Sequence, residues 1–163
     1  MPLIKHDIFI NAPINVCFDL ARDVDVHTVT TIKTKERAID GVTVGLMENG
    51  DTVTWEATHL GVKQKLTAKI IEMEKPYKFT DVMVKGVFHS FTHTHEFIES
   101  GTGTIMKDIF YYKSPFGILG VIADRLFLEK YMRNFIVKRA KELKRIAEKM
   151  EPHQYSFLEK STL

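Results

Sequence analysis

The last part of the chain dictates what the rest must do. From about Ile118 to Met150, the residues Leu128, Met132, Phe135, Ile136, Leu143, Ile146 and Met150 recur at three- and four-residue steps, which gathers them on one stripe of a helix. The other face carries Lys130, Arg133, Lys138, Lys141, Lys144, Arg145 and Lys149, diluted only by Glu142 and Glu148, and reads as a solvated surface. Pro115 and Gly117 break the chain ahead of this helix and Pro152 stops it. A stripe of this kind needs something apolar to lie against. What comes before it reads mainly as strands, which predicts a curved sheet wrapped around one long helix.

Ile4, His6, Ile8 and Ile10 alternate with Lys5, Asp7 and Phe9, predicting a first strand with one buried face. After the turn at Asn11-Ala12-Pro13, Val16, Cys17, Leu20 and Ala21 fit a short helix, and Asp23 to Val29 a second. Ile32 to Ile39 is expected as a strand with Lys33, Lys35 and Arg37 outward, which turns Thr34, Glu36 and Ala38 inward and makes Glu36 an interior carboxylate. Gly41, Gly45 and Gly50 punctuate a stretch expected as a flexible loop or lid.

From Asp51 the chain is a run of hairpins. The faces expected to be buried are Val53, Trp55, Ala57 and His59; then Gln64, Leu66, Ala68 and Ile70; then Phe79, Asp81 and Met83. Gly86 is expected to bulge the sheet, with His89, Phe91, His93, His95 and Phe97 beyond it, and Met106, Asp108, Phe110 and Tyr112 on the last strand. One strand, two short helices, about six antiparallel strands and a terminal helix make an α+β chain.

At 163 residues and 44% apolar composition, one core and one domain over residues 1–151 are expected, with 152–163 as a tail. The net charge of +2 is small and the cations sit on the outer helix face, so nucleic-acid binding is not expected. Cys17 is the only cysteine, which excludes an internal disulfide and suits a reducing cytoplasm. The N-terminal residues lack a secretion-signal profile, and no apolar run approaches the ~20 residues of a membrane span.

This order of elements, with the phrases Gly50-Asp51-Thr52-Val53-Thr54-Trp55, His93-Thr94-His95-Glu96-Phe97 and Tyr112-Lys113-Ser114-Pro115-Phe116-Gly117, resembles the START-related, birch-pollen-allergen-like superfamily. More narrowly, it resembles the bacterial branch labelled polyketide-cyclase-like or cell-division-inhibitor-like. The resemblance covers about Ile4 to Met150. It implies a helix-grip fold: a seven-stranded antiparallel sheet curved around the long helix, two short helices after the first strand, and a cavity for an apolar or amphipathic small molecule. Functions in the superfamily run from lipid carriage to cyclase chemistry, so the fold leaves the activity open.

Strand parity puts Glu36, His59, Gln64, Asp81, His93, His95 and Asp108 on the concave face with Trp55, Phe79, Phe91, Met106 and Phe110. A plain core does not carry so many polar groups, because each one buried without a partner costs about 1–3 kcal/mol. They either satisfy one another as a structural network or line a space. As a space, Trp55, Phe79, Phe91, Met106 and Phe110 would hold an apolar or aromatic body, with His93, His95 or Asp108 at its polar end and His59 and Glu36 as further members of the site.

Two other functions fit the same residues. One is a cyclase or hydratase using a histidine with Asp108 or Glu36 as acid and base, although no catalytic signature marks it. The other is a metal site built from His93 and His95 with His59 and Asp108. A lone His-x-His predicts metal poorly, so neither metal nor cofactor is expected. A protein partner would need an exposed apolar patch, and Phe116 to Val121 is the candidate; the same stretch suits a gate or a shallow membrane contact.

Overall fold

A computed structural model of the chain describes residues 2–155. Strand β1 (Leu3–Ile10) leads into α1 (Ile14–Arg22) and α2 (Val24–Thr30), followed by β2 (Arg37–Gly41), β3 (Thr52–His59), β4 (Val62–Glu74), β5 (Lys78–Lys85), β6 (Ser90–Ser100) and β7 (Gly103–Lys113). The seven strands form one antiparallel sheet in the order β1-β7-β6-β5-β4-β3-β2. A helical run over residues 117–149 closes it, as α3 (Gly117–Ala123), a π turn (Asp124–Leu128) and α4 (Glu129–Lys149). This is the helix-grip fold. Part of the expected tail, residues 156–163, lies outside the described residues.

The alternation read from the sequence is realised along most strands. Ile4 and Ile10 of β1, Val53, Trp55 and Ala57 of β3, and Met106, Asp108, Phe110 and Tyr112 of β7 are all buried. On α4 the buried stripe is Met132, Ile136, Ala140, Leu143 and Ala147, with Leu128, Phe135 and Ile146 packed beside it. The core under α1 is aromatic. Phe18 meets Phe79 and Phe97 edge-on at 5.6 and 5.5 Å between ring centroids, a favoured geometry for such rings. Burying a side chain such as Phe97 contributes about 1.5–3 kcal/mol.

Three local expectations are corrected. Ile32–Thr34 is a single 3-10 turn rather than strand, and β2 begins only at Arg37. The threonines explain it: Thr30 and Thr31 donate to the His27 carbonyl at 2.9 and 2.8 Å, and Thr34 to the Thr31 carbonyl at 3.0 Å, so their hydroxyls favour a turn over a ladder. Gly86 does not bulge a strand but follows the end of β5, and a Cβ there would come within 2.8 Å of Met83 Sδ.

The third is the expected lid between β2 and β3, which is tied down. Buried Arg22 donates from Nη1 to the Met47 carbonyl at 2.9 Å and to Glu48 at 2.7 Å, and Gly45 N–H donates to Asp25. A buried guanidinium must find acceptors, and this loop supplies them.

Asp124 joins the helix to the sheet. The π turn directs its carboxylate at the end of β7, where it accepts hydrogen bonds from Tyr112 Oη at 3.0 Å and from Ser114 Oγ. Burial and the adjacent carboxylate push the Tyr112 phenol far above its ordinary range, so it remains a donor.

Candidate functional site

Between the concave face of the sheet and the helical run lies a cavity of about 650 Å³. Its apolar wall comes from Leu66, Phe91, Phe110, Leu128, Met132 and Ile136, among others, and its polar groups are His27, Glu36, His59, Gln64, Asp81, His93 and Arg139. Phe116, which is 83% exposed, reaches the rim, and Ile118, Leu119 and Leu126 beyond it are also exposed. A second cavity of about 80 Å³ adjoins it, sharing His27, Trp55, Ala68, Asp81, His93 and Arg139 and adding Phe79 and His95.

The polar groups fall into two clusters. The first is centred on Glu36, which the end of the 3-10 turn carries under α2. His27 Nε2 lies 2.5 Å from one carboxylate oxygen and His59 Nε2 3.4 Å from the other. His59 Nδ1 in turn lies 2.8 Å from Tyr131 Oη on α4. Burial works to raise the Glu36 carboxyl, but the hydrogen bonds of His27 and His59 outweigh it and hold it at about 2. Burial and the Arg139 charge pull His27 the other way, below an ordinary imidazole, against the attraction of Glu36. The His27 ring stacks on the indole of Trp55 at 4.1 Å between centroids, so the cluster also fixes the aromatic wall.

The second cluster follows from strand register. Asp81 of β5 pairs with His93 of β6, and His95 of β6 pairs with Asp108 of β7, which sets two acids and two imidazoles side by side on one face. His93 Nε2 donates to Asp108 Oδ1 at 3.1 Å. His95 Nδ1 comes within 2.8 Å of the same oxygen but out of line for a hydrogen bond, so that contact is electrostatic. His95 Nε2 faces Asp81 Oδ1 at 3.6 Å.

Burial opposes charge throughout this cluster, yet the paired groups prevail at three positions. Asp108, between the two imidazoles, is held far below the usual carboxylate range, and Asp81 is lowered by His95 and His93. His95 is raised because Asp108 and Asp81 flank it. His93 is lowered, first by burial and then by the neighbouring His95.

Of the residues singled out from the sequence, Glu36, Trp55, His59, Phe91, His93 and Phe110 line the large cavity. Phe79 and His95 reach only the small one, with Phe79 stacked on His95 at 4.4 Å. Asp108 lines neither and backs the two histidines. Met106 is a correction: two residues along β7 from Asp108 it is 2% exposed and packed in the core, because that end of the strand lies under α1 and away from the cavity. His89 is exposed in the bend between β5 and β6. His59 and Asp108, expected to complete one metal site, belong to different clusters.

Three residues were missing from the expected site: His27, Tyr131 and Arg139. Arg139 stands one turn from Ile136 and Leu143, on the buried stripe, so the spacing that located the stripe also marks this cation among its solvated neighbours. Its Nη2 donates to the Ala21 carbonyl at 3.2 Å, while its buried Nε has no hydrogen-bond partner. His27 follows Val24 by three residues and precedes Thr31 by four, the spacing of an inward helix face.

No protein-family model and no curated protein matches the chain in sequence. Solved structures match its fold. A Thermus thermophilus protein, TTHA0849, superposes with a TM-score of 0.73 at 18% identity, covering 88% of this chain and 95% of that one. The major latex-like protein 151 of Panax ginseng gives 0.67 at 12% identity, covering 90% and 97%. The di-domain ARO/CYC protein StfQ from the steffimycin biosynthetic pathway gives 0.70 at 11% identity over 90% of this chain and 50% of its own. The chain therefore has the START-related, birch-pollen-allergen-like fold anticipated from its motifs.

Proposed function

We propose that this chain, as a single domain, binds a small molecule with an apolar or aromatic body and at least one hydrogen-bonding end in the cavity between sheet and helix. The carrying observation is the composition of that cavity: about 650 Å³, walled by Phe91, Phe110, Met132 and Ile136, with His59, His93 and Arg139 among the few polar groups converging on it. Volumes of this order and walls of this kind are those of small-molecule sites. Phe116 at the rim, with Ile118 and Leu119 exposed beyond it, gives such a ligand an apolar way in. Among the described residues no helix is long and apolar enough to cross a membrane.

A second reading, a cyclase or hydratase, draws on His93, which faces the cavity with its ring held by Asp108 in the manner of a positioned general base. Likeness of fold to an ARO/CYC protein keeps it in view without assigning a reaction.

The test is organic extraction of the purified full-length protein followed by mass spectrometry, with titration of the extracted compound back into the protein. The expected result is one amphipathic compound near one per chain, which rebinds unchanged. If nothing is extracted and no apolar probe binds at one per chain, the proposal fails.

A further inference from the structure

The second polar cluster is arranged in a way that hydrogen bonding alone does not explain. Asp81, His93 and His95 each present one ligating atom, and these atoms lie within 4.8 Å of one another. Between His95 Nε2 and Asp81 Oδ1 the gap is 3.6 Å. That exceeds an ordinary hydrogen bond, which closes by about 3.2 Å. It is close to the separation of two ligands on one tetrahedral zinc ion, about 3.4 Å for bonds of about 2.1 Å.

Asp108 supplies the second half of the pattern. Its Oδ1 lies 3.1 Å from His93 Nε2 and 2.8 Å from His95 Nδ1, so one carboxylate braces both rings while His95 Nε2 stays turned to Asp81. Ligating histidines almost always turn their second nitrogen to such an acceptor, which fixes tautomer and ring orientation. Two imidazoles and one carboxylate with open positions suit zinc or ferrous iron.

We propose that Asp81, His93 and His95 bind a divalent first-row transition metal ion, with Asp108 positioning both histidines. Asp81 and His93 line the large cavity as well as the small one, so the ion sits at the boundary between them. Its open coordination positions are then available to an oxygen donor on a cavity ligand, such as a carbonyl, phenolate or carboxylate. The metal site itself does not depend on the cavity carrying any ligand.

The test uses full-length protein purified without a histidine tag, stripped with a chelator and titrated with Zn2+ and with Co2+, whose visible absorption reports coordination. One ion per chain is expected. Affinity should fall about 100-fold or more in His95→Ala and Asp81→Asn, and about 10–100-fold in Asp108→Asn through loss of histidine positioning. Exposed His89→Ala should leave it unchanged. His95 is deeply buried, so if His95→Ala does not fold, His93→Ala and Asp81→Asn with native circular dichroism carry the test. No saturable uptake by the native protein, or uptake unchanged in both of those variants, overturns the proposal. No organic ligand enters the titration, so its failure is distinct from a failure of cavity binding.

Discussion

The imidazole of His27 lies stacked on the indole of Trp55, 24° from parallel, while its Nε2 is bonded to Glu36. One residue of α2 thus joins the aromatic wall of the cavity to a buried carboxylate. Trp55 is the single tryptophan of the chain, so its emission reports on the cavity alone. Filling the cavity should change that emission saturably, and His27→Ala, which strips the stacked ring, should change it without ligand. Trp55→Ala should weaken ligand binding by about tenfold or more, since a well-packed aromatic contact is worth upwards of 1.4 kcal/mol.

Glu36 gives stability an acid limit. Its carboxyl titrates near 2 in the folded protein against an ordinary value of 4.5, so its contribution is fully present above about 4.5 and lost as pH falls through 2. The unfolded chain takes up the proton first, which fixes the sign. A shift of this size corresponds to at most roughly 3 kcal/mol. Urea titrations from pH 6 to pH 2 should show stability dropping with acid in the native protein and a flatter profile, from a lower starting point, in Glu36→Gln.

Asp124 holds the helix against the last strand. Asp124→Ala leaves the hydroxyls of Tyr112 and Ser114 buried without their acceptor and should cost about 2–4 kcal/mol, read as a lowered midpoint in chemical denaturation. Tyr112→Phe removes one donor and should cost less, about 1 kcal/mol.

Core and cavity separate along β7. Met106→Ala should destabilise by about 2–5 kcal/mol and leave ligand affinity nearly unchanged, because Met106 packs in the core. Phe110→Ala opens the cavity wall and should weaken affinity as well. Parallel denaturation and binding curves for the two variants check the distinction.

Most of the architecture was legible because period-two alternation survives in β1, β3, β6 and β7, and a three- and four-residue stripe in α4. Alternation tells which side of a sheet a residue faces. It does not tell how far along the strand the cavity extends, which is why Met106 and Phe110 could not be separated. Nor does it see hydroxyls competing for backbone carbonyls, the reason residues 32–34 turn instead of extending. Glu36 was still placed inside, since it adjoins β2 with the parity expected. Polarity hides Arg139 and His27: each carries a charged or hydrogen-bonding group on an inward helix face, and Arg139 stands among seven cations of the outer face.

The central claim, an internal site for an apolar body with a polar end, is tested most directly by closing the cavity from within. Ala57 lines it and is 6% exposed, so Ala57→Phe fills space while leaving every polar lining residue in place in the sequence. Titration with 1-anilinonaphthalene-8-sulfonate, an aromatic body with one charged end, should give one site per chain in the native protein, with concurrent loss of Trp55 emission. In folded Ala57→Phe the affinity should fall by about tenfold or more. Equal binding by the two proteins, or no saturable binding by the native one, would contradict it.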